Sequence, residues 1–249
     1  LDYNDLALPS NGHLFLEYKV TLAEMLLVDN TNNINNTDPD QTFITGENPH
    51  NYIWYSGKLW RAVSIDPSDN SVKIITQNTI SAIPYGNDVN FSNSYMKIWL
   101  NDTSVDGFLG NLRDPDKFIK MDSKWNATET TGTGKLSNTT IVESAVGLLN
   151  IYEYTMSYTG TTYQKGYLNC GHYFYLLNPN STDNIWFVSD FGPTYYDIPT
   201  TARGIRPAVN LKADISVEYG DGTEDNPYRL EGDYDTNLAG TLLNTRYSG

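Results

Sequence analysis

Three apolar runs separated by two tight turns constrain this chain more than any other feature. Tyr52–Tyr55 leads into Ser56-Gly57, a two-residue turn signal. Residues 59–65 follow with apolar and polar positions alternating, residues 66–70 (DPSDN) make a second turn, and Val72–Thr76 closes the set. Short runs of β-branched and aromatic residues bounded by Gly, Pro, Asp and Asn read as strands, and turns this short join only antiparallel neighbours. The reading is an antiparallel meander with one face buried.

The rest of the chain is read around that meander. Thr21 with Glu24 three residues on has the spacing of a capping box, and Leu22, Met25, Leu26 and Val28 make an apolar stripe, so a short helix is expected there. It either docks on the main domain or is the remnant of a longer connection. Residues 31–49, rich in Asn, Thr and Asp with Gly and Pro, have loop or linker composition. Helices are expected at 92–100, capped by Ser92 with Tyr95, Met96, Trp99 and Leu100 on one face, at 105–112, and at 141–157 with Glu153 on or beside the apolar face. Residues 118–121 read as a short strand and 125–140 as loop. Strands are expected at 173–177, 185–189 and 206–211, and a hairpin at 215–219 and 228–230 across the acidic turn 220–227. The organisation predicted is an N-terminal helix and polar linker over 1–44, a main domain over 45–231 and a C-terminal linker over 232–249, with no internal repeat.

Charge removes several function classes. The 249 residues carry 16 Lys and Arg against 30 Asp and Glu, a net charge of −14. A nucleic-acid backbone or an anionic membrane surface is repelled by such a chain. A neutral or basic partner, protein or glycan, is allowed. Charged residues make up only 18%, so polarity comes mostly from Asn, Thr, Ser and Asp, which suits an extracellular or cell-surface protein. With one cysteine, Cys170, no internal disulfide can form. That cysteine reads as a small, partly buried side chain. No apolar run approaches the roughly 20 residues that span a membrane. The chain begins at Leu1, which reads as a mature or excised segment that leaves room for a removed signal or anchor.

The stretch 167–211 concentrates rings and short polar side chains between turns at 178–180 and 191–193. It holds no paired acid and base, no phosphate-binding loop and no Cys/His metal spacing. His172 reads as a surface residue, and Arg206 and Arg61 as structural cations. Tyr and Trp offer large contact area with few rotors to freeze, and Asn and Asp bond hydroxyls and amides. The candidate ligand-binding surface is therefore Tyr173, Tyr175, Asn178, Asn180, Asn184, Trp186, Asp190, Phe191, Tyr195, Tyr196 and Asp197. Alternation on a strand sets Phe174 and Leu176 opposite Tyr173, Tyr175 and Leu177, and Trp186 and Val188 opposite Phe187; Phe174, Leu176, Val188, Arg206 and Pro207 read as scaffold. No cofactor is required. Calcium is an option at Asp38, Asp40 and Glu47 or in the turn 220–227, though the regular spacing of a calcium loop is absent.

Several motifs carry a resemblance that covers about residues 45–228. They are residues 51–61 (NYIWYSGKLWR), 94–101 (SYMKIWLN), 204–211 (GIRPAVNL) and 220–228 (GDGTEDNPY). Together they resemble a family of Gram-positive surface proteins whose usual pattern is an aromatic pair, Arg-Ser-Pro-Gly, a variable polar stretch and Gly-Val-Arg-Pro-Ala-Leu-Asn-Leu. Here Tyr173-Phe174 stand where a Trp pair is usual, and Leu177-Asn178-Pro179 replaces Arg-Ser-Pro. The ending is also similar to that of C-type-lectin-like domains, including formylglycine-generating enzymes and the variable proteins of diversity-generating retroelements. The resemblance implies an α+β, C-type-lectin-like domain, with small antiparallel sheets flanked by two helices and long irregular loops that form a ligand site. It implies a receptor- or adhesin-type protein with a surface open to diversification. The alternatives are a structural module of a pilus or surface assembly, and a relative of the formylglycine enzymes that lacks their cysteine site.

Overall fold

The computed structural model describes residues 19–158 and 165–234. The fold is α+β, mostly sheet with four short helices among the described residues. None of those helices is long and apolar enough to cross a membrane.

The meander forms as its alternation requires. β3 (Tyr52–Tyr55), β4 (Lys58–Ile65) and β5 (Val72–Thr76) pair antiparallel in sequence order. Ser56 and Gly57 both take positive φ in the first turn. β4 is long enough to hold two partners on one edge. β3 pairs with its first half, and β2 (Gln41–Ile44) pairs with Ser64 and Ile65. β2 itself pairs with β1 (Ile34–Asp38). The stretch 31–49 is thus not the continuous loop its composition suggests. Thr42, Phe43 and Ile44 are enough to build a strand once β4 offers an open edge, and Phe43 and Ile44 are fully buried there. With β9 (Val146–Gly147), β14 (Ala208–Leu211), β15 (Val217–Tyr219) and β16 (Tyr228–Leu230) this makes a nine-stranded sheet, its main path running β15-β16-β3-β4-β5-β14-β9. β15 and β16 are the expected hairpin, with Gly220 and Gly222 at positive φ in its turn.

A second sheet of five strands runs β12-β11-β10-β13-β6, from β6 (Ser81–Pro84), β10 (Phe174–Pro179), β11 (Ile185–Val188), β12 (Thr194–Asp197) and β13 (Ala202–Ile205). The strand expected at 206–211 is β14, which starts two residues later, and β13 just before it belongs to the other sheet. β13 pairs with β6 and β14 pairs with β5, so two chain segments cross together from one sheet to the other. Arg206-Pro207 is the crossing point, and Arg206 is buried there. Its Nε donates to the Thr76 carbonyl (2.8 Å), one terminal amine donates to the Leu168 carbonyl (2.5 Å), and its plane stacks over Phe174 at 4.8 Å. Arg61, the other buried arginine, donates to Asn51 (2.7 Å) and stacks on Tyr52, and burial brings its pKa down to about 10.

The helices are shorter than their sequence patterns suggest. α1 (Leu22–Asp29) has its capping box, Thr21 with Glu24, but Val28 points to solvent and Ala23 joins Leu22 and Leu26 inside. α2 (Tyr95–Asn101) is capped by Ser94, because Phe91–Asn93 forms a separate 3-10 turn capped by Asn90. Met96 and Leu100 are its buried face, while Tyr95 is exposed. The region 105–112 holds only a 3-10 turn, Leu109–Asn111. Pro115 opens α3 (Pro115–Phe118), one helical turn that takes up the start of the expected 118–121 strand. The predicted 141–157 helix is β8 (Ile141–Glu143), β9 and α4 (Ile151–Met156). β8 pairs with β7 (Lys124–Asn126), which lies in the expected 125–140 loop. Two local features break the helical pattern. Gly147 lies against the Trp125 ring, where an added Cβ would come within 2.3 Å, and Asn150 with Glu153 caps a new helix start. The buried Glu153 also pairs with Lys73.

The sheet crossing makes a stability prediction. A Cβ on Gly204 would lie 2.3 Å from the Tyr173 carbonyl oxygen and 2.5 Å from Thr79 Cγ2. Gly204→Ala should therefore cost about 1–3 kcal/mol in urea unfolding, the usual range for overpacking. An unchanged midpoint would mean the crossing is loosely packed.

Candidate functional site

The five-stranded sheet sorts the candidate residues by strand register. Phe187 pairs with Tyr175 on one side and Tyr195 on the other. Directly paired residues share a face, as do positions two apart, so Tyr173, Tyr175, Phe187 and Tyr195 all point the same way. Phe187 is the buried centre of this group. The Tyr173 and Tyr195 rings lean on it, with centroids 6.1 and 6.0 Å away. Arg203 stacks over Phe187 at 3.6 Å and pairs with Asp197. Burial alone would raise the Asp197 pKa, but the Ile198 amide and the Arg203 guanidinium outweigh it and hold the carboxyl below its usual value. On the opposite face Trp186 meets Tyr196 edge-on at 5.6 Å.

The exposed members are Tyr173 (46%), Tyr195 (54%), Tyr196 (57%) and Phe191 (66%). Phe191 sits at the β11–β12 turn, where Gly192 takes positive φ and accepts a hydrogen bond from the Tyr154 hydroxyl. Asn184 and Asp197 are partly exposed. So is Asp190, although one of its carboxylate oxygens is buried with no partner among the described residues.

Four candidates lie in the interior, not on display. Tyr175 is covered by the 198–201 segment. Its hydroxyl donates to the Thr201 carbonyl (2.5 Å), its ring meets Tyr85 edge-on, and burial raises its pKa to about 12. Asn178 ties three chain segments together. Its oxygen accepts from the Ile151 amide (2.9 Å) and its amide donates to the Asn126 and Thr128 carbonyls. Asn180 closes the β10–β11 turn through Asn184. Trp186 donates its indole N–H to the Thr130 carbonyl (2.7 Å). The side-chain polar groups of Tyr175, Asn178 and Trp186 are spent on backbone, which is the condition for burying them. Phe187 and Arg203, which hold the exposed rings, were outside the candidate set. The β10–β11 register, not alternation along one strand, puts Phe187 on the Tyr173 face, and no local signal brings Arg203 onto it.

A concave part of the surface lies elsewhere. Two adjoining clefts of about 480 and 320 Å³ share Asp40, Gln41, Lys73 and Lys124. Their charges are largely committed to one another: Lys73 to Glu153, Lys120 to Asp69, and Lys135 to Asp38 and Asp40. In the turn 220–227, the Asp221 carboxylate accepts from the Thr223 amide and hydroxyl. Among the described residues no group of three or more His, Cys, Asp or Glu side chains is placed to hold a metal ion. Cys170 is half-buried and His172 is exposed, and neither side chain bonds Asp190.

Two measurements test these assignments. Asn178→Leu leaves one buried N–H and two buried carbonyls without a partner, so it should cost at least ~2 kcal/mol in chemical denaturation. A variant as stable as the parent would remove Asn178 from the framework. Asp38 accepts from Lys135 (2.5 Å), the Asp40 amide and the Tyr152 hydroxyl. Burial pushes its pKa up, but these donors outweigh burial and hold it below 3.8. The stabilisation is complete above pH 3.8 and is lost as the pH falls through the lower folded value. The stability gap between the parent and Asp38→Asn should be full at neutral pH and narrow below pH 3.8. A gap that does not change with pH would contradict the assignment.

Comparison of the chain with protein-family models, with curated proteins and with solved structures finds no match to any of them.

Proposed function

We propose that this is an extracellular, cell-surface binding protein, not an enzyme, that recognises a protein or glycan receptor through the β11–β12 end of its five-stranded sheet. The observation that carries this reading is the set of four exposed rings, Tyr173 just before β10, Phe191 in the β11–β12 turn, and Tyr195 and Tyr196 on β12, set beside β10 and β11, whose side chains are buried. Exposed aromatic rings on a fixed framework lose little conformational freedom on binding and supply hot-spot contacts. Asp197 and Arg203 add one acceptor and one donor beside them. The low fraction of charged residues, the polar surface and the sequence resemblance to Gram-positive surface proteins support the same reading. The C-type-lectin-like fold belongs to the proposal too, supported by the motif at 204–211 and by the irregular segments around the small sheet. Such a scaffold would let the exposed positions vary while Arg206, Gly204 and Asn178 stay.

A glycan and protein array probed with the parent and with the Tyr173→Ala/Tyr195→Ala double variant tests this. Loss of about tenfold or more of binding at an unchanged unfolding midpoint is expected, since truncated hot-spot rings cost this much. Equal binding by both proteins would sink the proposed surface. Alanine at Tyr175 or Trp186 would report on folding instead, because both are interior.

A further inference from the structure

β12 is the last strand of its sheet, with β11 on one side and nothing paired on the other among the described residues. Its register against β11 runs without a break from Val188↔Thr194 to Ile185↔Asp197. The Ser189 amide donates to the Pro193 carbonyl (2.8 Å), which makes that pair a hydrogen-bonded one. Hydrogen-bonded and non-bonded pairs alternate along an antiparallel ladder. Tyr195 and Asp197 therefore bond to β11, and the N–H and C=O of Thr194 and Tyr196 turn outward. No backbone hydrogen bond outside the ladder engages them among the described residues. Folded proteins guard such edges with lysine, proline, a bulge or a covering loop. The sequence of β12, Thr-Tyr-Tyr-Asp, has no lysine or proline and its pairing has no bulge. β6, at the other edge of the sheet, ends in Pro84.

We infer that the β12 edge accepts an added strand, an extended segment of a different protein. This rests on the binding reading above and narrows its partner to a polypeptide. Strand addition draws affinity from main-chain bonds and specificity from alternate side chains. Here the outward groups of Thr194 and Tyr196 supply the first, and Tyr195 and Tyr196, on opposite faces, supply the second. Charge selects the occupant. From Gly166 to Ala202 the sequence has no Lys or Arg, but it has Asp183, Asp190 and Asp197. Arg203, which stacks on Phe187 on this face, is paired with Asp197. With a net charge of −14 a second copy is repelled, and a segment with alternating apolar residues and basic ends is attracted.

The test uses a displayed library of linear peptides selected against the whole chain. The enriched peptides are then synthesised with single N-methyl groups along the backbone. Strand addition predicts that N-methylation weakens binding with a two-residue period, because every second peptide amide faces the ladder. Tyr196→Pro, which deletes an outward N–H without touching the ladder to β11, should bind about tenfold more weakly than Tyr196→Ala, which keeps it. A scan without that period, equal binding by the two variants, or no enriched peptide at all would overturn the inference. So would sedimentation showing dimers that Tyr196→Pro dissolves, since the occupant would then be a second copy. A positive glycan array with no enriched peptide removes strand addition and leaves the broader reading standing. Periodic peptide binding that survives Tyr173→Ala/Tyr195→Ala does the reverse.

Discussion

The architecture depends on holding a buried guanidinium at the point where two strands leave one sheet for another. Among the described residues Arg206 has no carboxylate as a hydrogen-bond partner. It is held by two backbone carbonyls and by the face of Phe174. An uncompensated buried cation costs several kcal/mol, so the site persists only because those acceptors are fixed in place. They come from β5 and from residues 168–174, leading into β10, two parts of the chain distant in sequence. Arg206 thus locks the ends of both sheets to each other. One terminal amine of Arg206 still lacks a partner among the described residues. Close packing at Gly204 and the donated bonds of Asn178 extend the same lock into the five-stranded sheet. Tyr173, whose carbonyl accepts from the Gly204 amide, is therefore positioned by the crossing.

Much of this was legible in the sequence where local signals agree with tertiary demand. The meander 52–76 has alternation, β-branched residues and turn chemistry all pointing one way, and its strands lie where those signals place them. The capping box at Thr21 and the hairpin at 215–230 are similar cases. Legibility failed where a long-range partner decided the outcome. Residues 141–157 have helical spacing, but Ile141 to Gly147 find strand partners in β7 and β14. Residues 41–44 look like linker until β4 provides an edge. None of these partners is visible within a window of a dozen residues.

The candidate surface shows the same limit at the level of single side chains. Alternation separates the two faces of a strand, but it does not say what covers each face. Tyr173 and Tyr175 share a face, yet one is exposed and the other is buried, because the 198–201 segment folds over only the second. Asn178 and Trp186 look like display residues by type. Their hydrogen-bonding groups instead satisfy backbone in segments far away in sequence, which composition cannot reveal. Arg203 was missed for the same reason. Its role comes from stacking on Phe187, sixteen positions earlier in the chain.

The choice between the aromatic edge and the charged clefts is then a question of what each would lose on binding. In the clefts, Lys73, Lys120 and Lys135 are already paired with acids. A ligand there must replace those pairs and fix long side chains that each carry about 2 kcal/mol of rotamer entropy. At the edge, Tyr173 and Tyr195 are braced against Phe187, and Asp197 is held by Arg203 before any partner arrives. A tyrosine has two side-chain torsions to fix, and here contact with a buried ring already restricts them. The outward backbone groups of β12 are rigid as well, because the ladder to β11 sets their direction. An arriving extended chain therefore bears most of the ordering cost itself. That asymmetry favours the edge over the clefts.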